Sequence, residues 1–360
     1  MNHPKNIITF ISLILVCIHT CLAQDPQFSQ FHNNPLVYNP AFTGHTKGSR
    51  FISNFRKQWL GLGFIYQTTS ASYDANIDDE KRLSLGMQVM LEQESENFRQ
   101  STGSGLMSYR VGGELSGFTA GLKASYINRS FTTDGLKFID QYSATGIANT
   151  SLDPLANSSG RFTQNFFDFS LGLLYEAHQN SRQGSVYNVN MRGFQMGVAL
   201  HHFDKLLKGV NYSLPLPHLG VHASYKMPIN LPWWYQDTED ESTLGFTGYF
   251  RSQGQSMMLD LGITTRYTPI VLGLWYRGIP LRTYKDIPQQ DAIVVLMGYE
   301  QEKFRLGISY DVTVSSLSWR SGGTIELSLW LSFGYVNFKG TKAGDRHLPQ
   351  CTKRTLFKPW

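Results

Sequence analysis

Cysteine is scarce. Of the 3 in the chain, Cys17 and Cys21 fall in an apolar N-terminal stretch, and Cys351 alone lies beyond it. Without a second thiol the remainder can form no internal disulfide and must be held by packing and hydrogen bonds. Charge is also low, Asp, Glu, Lys and Arg together making up 16% of residues. The net charge of +5 comes from basic residues scattered along the chain, except near its end. That pattern excludes the dense basic patch of a nucleic-acid binder. Long apolar runs are missing too. Beyond the N-terminal stretch the most apolar run, Ile270–Tyr276, is far short of the roughly 20 residues a spanning helix needs. A chain that enters a membrane without such helices has to close its backbone hydrogen bonds in a barrel.

The N-terminus is what an exported chain requires. Lys5 supplies a positive start, Ile7 to Ile18 form an apolar core, and Cys21-Leu22-Ala23 end in a small residue. Residues 1–23 are therefore expected to be a secretory signal peptide, cleaved before Gln24. Neither Cys17 nor Cys21 sits in a lipidation box.

Past the signal, the dominant pattern has a period of two. Phe304, Leu306, Ile308, Tyr310, Val312 and Val314 alternate with Arg305, Gly307, Ser309, Asp311 and Thr313. On a strand this puts apolar side chains on one face and polar ones on the other. A helix would mix the two classes on one stripe. The alternation recurs around Ile52, Thr69, Met87, Met107, Ala124, Leu171, Gly197, Ala223, Phe246, Gly262, Gly273, Val295, Ile308 and Leu329. A soluble β-sandwich also alternates. Many of these runs, however, suit a tilted membrane strand of about 9–11 residues. Aromatics such as Tyr175, Tyr267, Tyr276, Tyr299, Tyr335 and Phe338 fall at run ends, as in an interfacial girdle. The expected fold is all-β: a transmembrane antiparallel β-barrel of outer-membrane type, with about 14 strands, over residues 48–338. Polar residues such as Lys123, Asp168, Glu176, Arg305 and Asp311 are expected to point inward.

An even strand number puts both termini on the periplasmic side. Gly112-Gly113-Glu114, Thr268-Pro269 and Gln301-Glu302 then read as short periplasmic turns. The longest connection, near Phe131 to Arg161, reads as an extracellular loop. Asn230 to Glu241, with Trp233-Trp234-Tyr235, is long for a periplasmic turn and reads as an interfacial anchor or a partner contact.

No catalytic, metal or cofactor constellation stands out, and the chain is not expected to be an enzyme. His218 and His222 share an even spacing and face the same way, but two histidines make a poor zinc site. His201 and His202, being adjacent on a strand, are expected to face opposite ways. Asp78-Asp79-Glu80 lacks calcium-loop spacing. There is no Gly-x-Ser-x-Gly elbow, and Gly103-Ser104-Gly105 belongs to a strand and matches no phosphate loop.

The chain ahead of the first strand, residues 24–47, is not a strand. Pro26, Pro35 and Pro40 lack backbone donors and push the preceding residue toward extended geometry. Asn34-Pro35 and Asn39-Pro40 favour turns. This kinked leader, placed by strand parity at the periplasmic end, can plug the lumen, line the wall, hold a partner, or simply seal the barrel floor. Its residues Asp25, Pro26, Phe28, Ser29, Gln30, Asn34, Pro35, Asn39, Pro40 and Gly44 are the candidate site. Residues 339–360 form a basic tail, with Lys339, Lys342, Arg346, Lys353, Arg354 and Lys358 against Asp345. It reads as a solvated terminus or as a dock for an acidic partner, and Cys351 within it as a lone thiol.

The stretch Gln24-Asp-Pro-Gln-Phe-Ser-Gln-Phe-His-Asn-Asn-Pro-Leu-Val-Tyr-Asn-Pro-Ala-Phe-Thr-Gly44 closely resembles the opening of the PorP/SprF family. In that family an acidic-Pro-x-Phe-Ser-Gln stretch leads to Asn-Pro-x-x-x-Asn-Pro-Ala and a Gly. Arg56-Lys-Gln-Trp59 and Ser72-Tyr-Asp74 resemble the blocks that follow, with Leu60 where a Pro is common. Ser309-Tyr-Asp311, Ser321-Gly-Gly323 and Glu326-Leu-Ser328 resemble its closing strands, and Thr352 replaces a Pro often found after the tail cysteine. The resemblance implies an outer-membrane component of the type IX secretion and gliding machinery of Bacteroidota. It implies support for the export or surface retention of proteins with a C-terminal sorting domain. The implied partners are outer-membrane lipid, periplasmic ring and peptidoglycan-binding lipoproteins, and a secreted surface protein. A passive outer-membrane channel or hydrophobic-solute porter would have the same architecture without the leader block.

Overall fold

In a computed structural model, residues 25–333 are described, apart from 47, 64–65, 78–81, 114, 144–145, 148–149, 154–159, 184–185, 206–214, 230–241, 268, 285–286, 302 and 316–317. The signal, the Asp78-Asp79-Glu80 turn, the Trp233-Trp234-Tyr235 segment, Tyr335, Phe338 and the basic tail with Cys351 lie outside the described residues.

Sixteen strands are described. They are β1 (Ser49–Gln58), β2 (Gln67–Asn76), β3 (Leu83–Gln93), β4 (Phe98–Gly112), β5 (Ser116–Thr132), β6 (Tyr142–Ser143), β7 (Gly146–Ile147), β8 (Arg161–Gln183), β9 (Val186–His201), β10 (His218–Pro228), β11 (Thr243–Gln253), β12 (Ser256–Tyr267), β13 (Ile270–Tyr284), β14 (Ile287–Glu300), β15 (Phe304–Thr313) and β16 (Thr324–Phe333). Strands β6 and β7 form a small hairpin of their own, and the other fourteen close an antiparallel barrel in chain order. The seam is complete, since β1 pairs with β16 from Ser49↔Phe333 to Gln58↔Thr324. All fourteen alternating runs become barrel strands.

Alternation decides which face meets what. Met87, Phe118, Leu173, Leu274, Met297, Leu306 and Ile308 point outward and are exposed. Their neighbours Ser84, Gln88, Ser108, Asp168, Glu176, Arg305, Ser309 and Asp311 are buried inside. An apolar exterior around a polar interior is what a bilayer selects in a barrel. Outward aromatic pairs bridge strands near the mouth at which β1 begins: Phe118 with Tyr175, ring centroids 4.6 Å apart, and Tyr299 with Phe304, 5.8 Å apart.

Strand polarity gives the barrel two distinct ends. β1 begins and β16 finishes at one, the terminal mouth; the other is the far mouth. The turns after β4, β12 and β14 all lie at the terminal mouth. At that mouth β8 and β9 overrun their neighbours. β8 last pairs with β5 at Ala177, and β9 first pairs with β10 at Gly193. Below those points, among the described residues, Asn180–Gln183 and Val186–Val189 pair with each other and with no further strand, past a bulge at Gln179. At the far mouth β5 and β8 run on to Thr132↔Arg161. The connection they carry holds the β6–β7 hairpin and exposes Ile139, Tyr142, Ile147 and Leu152.

The lipid-facing assignment yields a first prediction. An arginine at the middle of an outward strand face costs roughly 2–4 kcal/mol near the bilayer midplane. Ile308→Arg, mid-strand in β15, should lower the unfolding free energy in lipid vesicles by that amount. An unchanged value would mean that this face does not meet lipid.

Candidate functional site

The leader lies inside the barrel. Its Asn-Pro pairs set its course: residues 31–33 and 40–42 form single 3₁₀ turns and Pro35–Tyr38 one helical turn. The two prolines open these turns because a missing N–H is no loss at a helix start. Asn39 caps the start of the last turn by accepting from the Ala41 N–H at 2.9 Å. From Phe28 to Thr43 almost every residue is buried, Phe28, Gln30, Leu36 and Asn39 completely.

Starting from its N-terminal end, the leader runs from the far mouth to the terminal mouth. The Asp25 carboxylate meets His202 Nε2 at 2.8 Å and His218 Nδ1 at 3.1 Å, and the Asp25 N–H donates to Gln253 Oε1 at 2.9 Å. His218 opens β10 and Gln253 ends β11, both at the far mouth. Lower down, the Ser29 and Gln30 N–H groups donate to the Glu326 carboxylate at 2.5 and 3.2 Å. The Gln30 amide donates to the Glu326 carbonyl at 3.0 Å and to Ser309 at 3.1 Å. The Asn34 amide reaches Ser70 at 2.7 Å. Asn39 donates to the strand carbonyls of Leu173 at 3.1 Å and Val198 at 3.4 Å. At the terminal mouth Gly44, with φ +67°, donates to Asp74 at 2.5 Å, and Arg50 binds both Asp74 and the Phe42 carbonyl. Strand parity had suggested a periplasmic start for the leader. The leader instead begins at the mouth opposite the one where β1 starts, because it crosses the lumen before turning back into β1.

Buried charge is paired around this path. Arg56 meets Ser29, Asp311 at 3.1 Å and Glu326 at 3.5 Å. Arg277 bridges Asp260 and Asp311, each at 2.9 Å. Arg305 and Arg266 both meet Glu300 at 3.1 Å, and Arg110 pairs with Glu176. Such groups persist in a dry interior only when paired and hydrogen-bonded. The leader also supplies the apolar packing. Phe28, Phe31 and Tyr38 cluster with Tyr249, Val271, Trp275, Val294 and Leu296; Leu36, Ala41 and Phe42 cluster with Leu106 and Leu174. His32 stacks on Trp275 at 5.0 Å between ring centroids.

Glycines in the wall let the leader sit this close. A Cβ at Gly121 would lie 2.3 Å from the Pro40 backbone, and one at Gly172 would lie 2.0 Å from Asn39 Oδ1. These two residues face each other across β5 and β8.

The candidate leader residues are thus gathered in one place, with Gln30, Asn34, Asn39, Pro40 and Gly44 against the wall and Asp25 at the far mouth. Pro26 lies half-buried beside Asp25. His201 and His202 were expected to diverge, yet both are buried in the lumen. His201 meets Ser170 at 3.1 Å and the Tyr38 carbonyl at 3.0 Å; His202 meets Asp168 at 2.7 Å. The reason is local: His202 follows the last residue of β9 with φ +56°, and alternation ends there. Among the described residues no group of three or more His, Cys, Asp and Glu side chains is arranged to hold a metal.

His202, past the end of its strand, carries the clearest electrostatic signature. Burial disfavours its charge, but the carboxylates of Asp25 and Asp168 outweigh that and raise it to about 10. Burial alone would likewise raise Asp25; the His202 and His218 imidazoles hold it well below its ordinary range.

Two predictions follow from this geometry. Gly172→Val should overpack the leader seat and lower stability by about 1–3 kcal/mol, whereas Gly105→Ala, where a Cβ meets open space, should not. Equal midpoints of unfolding for the two would contradict the seat. A raised His202 stabilises fully below its ordinary 6.5 and loses that contribution as pH rises through about 10. The penalty of His202→Ala, measured by unfolding, should therefore shrink on going from near-neutral pH to about pH 10; a constant penalty would argue against a charged His202.

The chain matches the family model described as type IX secretion system membrane protein PorP/SprF over residues 20–331. No curated protein sequence matches it significantly. Among solved structures it is similar to the outer membrane protein Omp33 of Acinetobacter baumannii, with 10% identity over 81% of this chain and 100% of that one and a TM-score of 0.39. It is also similar to a Pseudomonas aeruginosa FadL homologue, with 11% identity, 79% and 90% coverage and a TM-score of 0.37. A third similarity is to the CymD monoaromatic hydrocarbon channel, with 11% identity, 84% and 93% coverage and a TM-score of 0.38. At that distance these three carry no argument about function. The family match spans the leader and nearly all of the barrel together, and on it the chain belongs to the PorP/SprF family of type IX secretion system membrane proteins.

Proposed function

We propose that this protein is a closed outer-membrane scaffold of the type IX secretion and gliding machinery, supporting export or surface retention of proteins with a C-terminal sorting domain. The observation that carries the reading is the packed lumen. The leader block, which lies within the family match, fills the barrel and pairs with its inward polar groups, so the barrel serves as a rigid platform and not as a conduit. Residues 1–23 act as the export signal, and the terminal mouth faces the periplasm. There the β8–β9 extension, with strand edges that no other barrel strand covers, is suited to periplasmic ring and peptidoglycan-binding lipoproteins. The basic tail serves the same side. At the far mouth the long β5–β8 connection, with exposed Ile139, Tyr142, Ile147 and Leu152, suits a secreted surface protein. Nothing in this role calls for catalysis, a cofactor or nucleic acid.

A passive channel is the competing reading, and it requires an open lumen. Two measurements separate them. Affinity capture of the tagged full-length protein from detergent-solubilised outer membranes should bring down secretion-machinery components or a protein with a C-terminal sorting domain. In planar bilayers the intact protein should be non-conducting, while a variant lacking residues 25–44 should conduct if it still folds. Capture of the barrel alone, under conditions that preserve the secretion complex, together with steady conductance of the intact protein, would favour the channel.

A further inference from the structure

Three adjacent strands bring their ends together at the far mouth, where the register sets His218 opposite both His201 and Gln253. His202 follows β9, His218 opens β10 and Gln253 ends β11. Their side chains converge on one residue of the leader: His202 Nε2 lies 2.8 Å and His218 Nδ1 3.1 Å from the same Asp25 carboxylate oxygen, while Gln253 accepts the Asp25 N–H at 2.9 Å. Asp168 fixes the His202 ring from behind at 2.7 Å. His201 and His218 lie ring to ring, centroids 5.1 Å apart. A left-handed backbone at His202, φ +56°, is what turns that ring inward. Positive φ is uncommon for a non-glycine residue, although His is one of the types that adopt it more readily.

We propose that His202, His218 and Gln253 form a carboxylate seat, filled in cis by Asp25, that latches the leader at the far mouth. With cleavage before Gln24, the mature N-terminus is consequently presented at that mouth, opposite the one where β1 begins. The leader's lower half is anchored independently, by Asn39 on the β8 and β9 carbonyls and by Gly44 on Asp74. Ser29 and Gln30 are likewise held by Glu326, so the latch governs the first few residues, Asp25 to Gln27, and not the plug as a whole. An even-stranded barrel with a simple N-terminal extension would show that extension on the terminal side. Here the ring, closed by β1 and β16, surrounds a segment that runs through it, and the N-terminal end is delivered through the lumen to the opposite mouth.

The test uses the full chain in its own outer membrane. An epitope is inserted between Gln24 and Asp25, and reference epitopes are placed in the β11–β12 turn at Gly254, at the far mouth, and at Gly113 in the β4–β5 turn, at the terminal mouth. Antibody accessibility before and after permeabilisation is compared for the three. The epitope before Asp25 should behave as the one at Gly254 does; behaviour like that at Gly113 would overturn the proposal. The comparison holds whichever mouth faces the cell exterior, so it stands or falls separately from the secretion role. A second measurement covers interference with assembly by the epitope. In a Cys351→Ser background, the disulfide pair Asp25→Cys with Gln253→Cys should form, and Asp25→Cys with Ser84→Cys should not, Ser84 lying at the terminal mouth. The reverse pattern, or no cross-link in either pair, would overturn it. For the latch itself, Asp25→Ala should raise the rate at which a Gln27→Cys thiol, half-buried beside the seat, reacts with a soluble maleimide by about tenfold or more, the factor that loss of a hydrogen bond to a charged group carries. An unchanged rate would mean that the seat does not hold the segment.

Discussion

The structure depends on one requirement: a fourteen-stranded ring lined with arginines, carboxylates and histidines cannot be left dry and empty. Each inward charge needs a partner, and neighbouring strands supply only some of them. The leader supplies many of the remainder. Glu326 receives two successive backbone N–H groups from Ser29 and Gln30 while it faces Arg56. Arg50 holds Asp74 through Nε and the Phe42 carbonyl through Nη2. Each of the two apolar clusters inside the barrel joins leader residues to wall residues. The leader therefore does for this barrel what a hydrophobic core does for a soluble domain.

That role explains the peculiar composition of the leader. Prolines turn the chain without demanding donors, Asn39 bonds to strand carbonyls while Asn33 and Asn34 bond to strand serines, and aromatics fill the space between. Glycine at positions 121 and 172 lowers the wall where Asn39 and Pro40 press on it. At Trp275 the same device works in reverse. A Cβ at Gly262 would stand 1.8 Å from the indole and one at Gly273 2.2 Å away, so the ring lies flat on the wall and offers its open face to His32. Small residues on one strand thus become legible only beside the large group they accommodate on another.

A filled lumen also changes what the two mouths can do. Solute passage would require displacement of a segment held by backbone and side-chain bonds along its length, so the specific surfaces lie at the rims. At the terminal mouth the β8–β9 extension stands clear of the wall; at the far mouth the β5–β8 connection carries apolar side chains outside the bilayer-facing band. The proposed scaffold role rests on those two faces and on a body that does not leak.

How much of this the sequence determined can be stated residue by residue. Side chains on a strand alternate by geometry alone, so Phe304 to Val314 and its counterparts announced the strand type, the inward and outward faces and the number of strands. The three prolines excluded a strand between Asp25 and Gly44, and the leader block pointed to the family. Tertiary structure decided the rest, because it depends on contacts between residues far apart in the chain. The direction of the leader follows from Asp25 meeting His202 and Gln253, some 177 and 228 positions away. The facing of His202 follows from one left-handed backbone angle that ends the alternation. The partners of Arg277, Asp311 and Glu326 follow from barrel closure and shear. Period and composition are local quantities and can be read locally; the pairing of buried charge is a property of the closed ring.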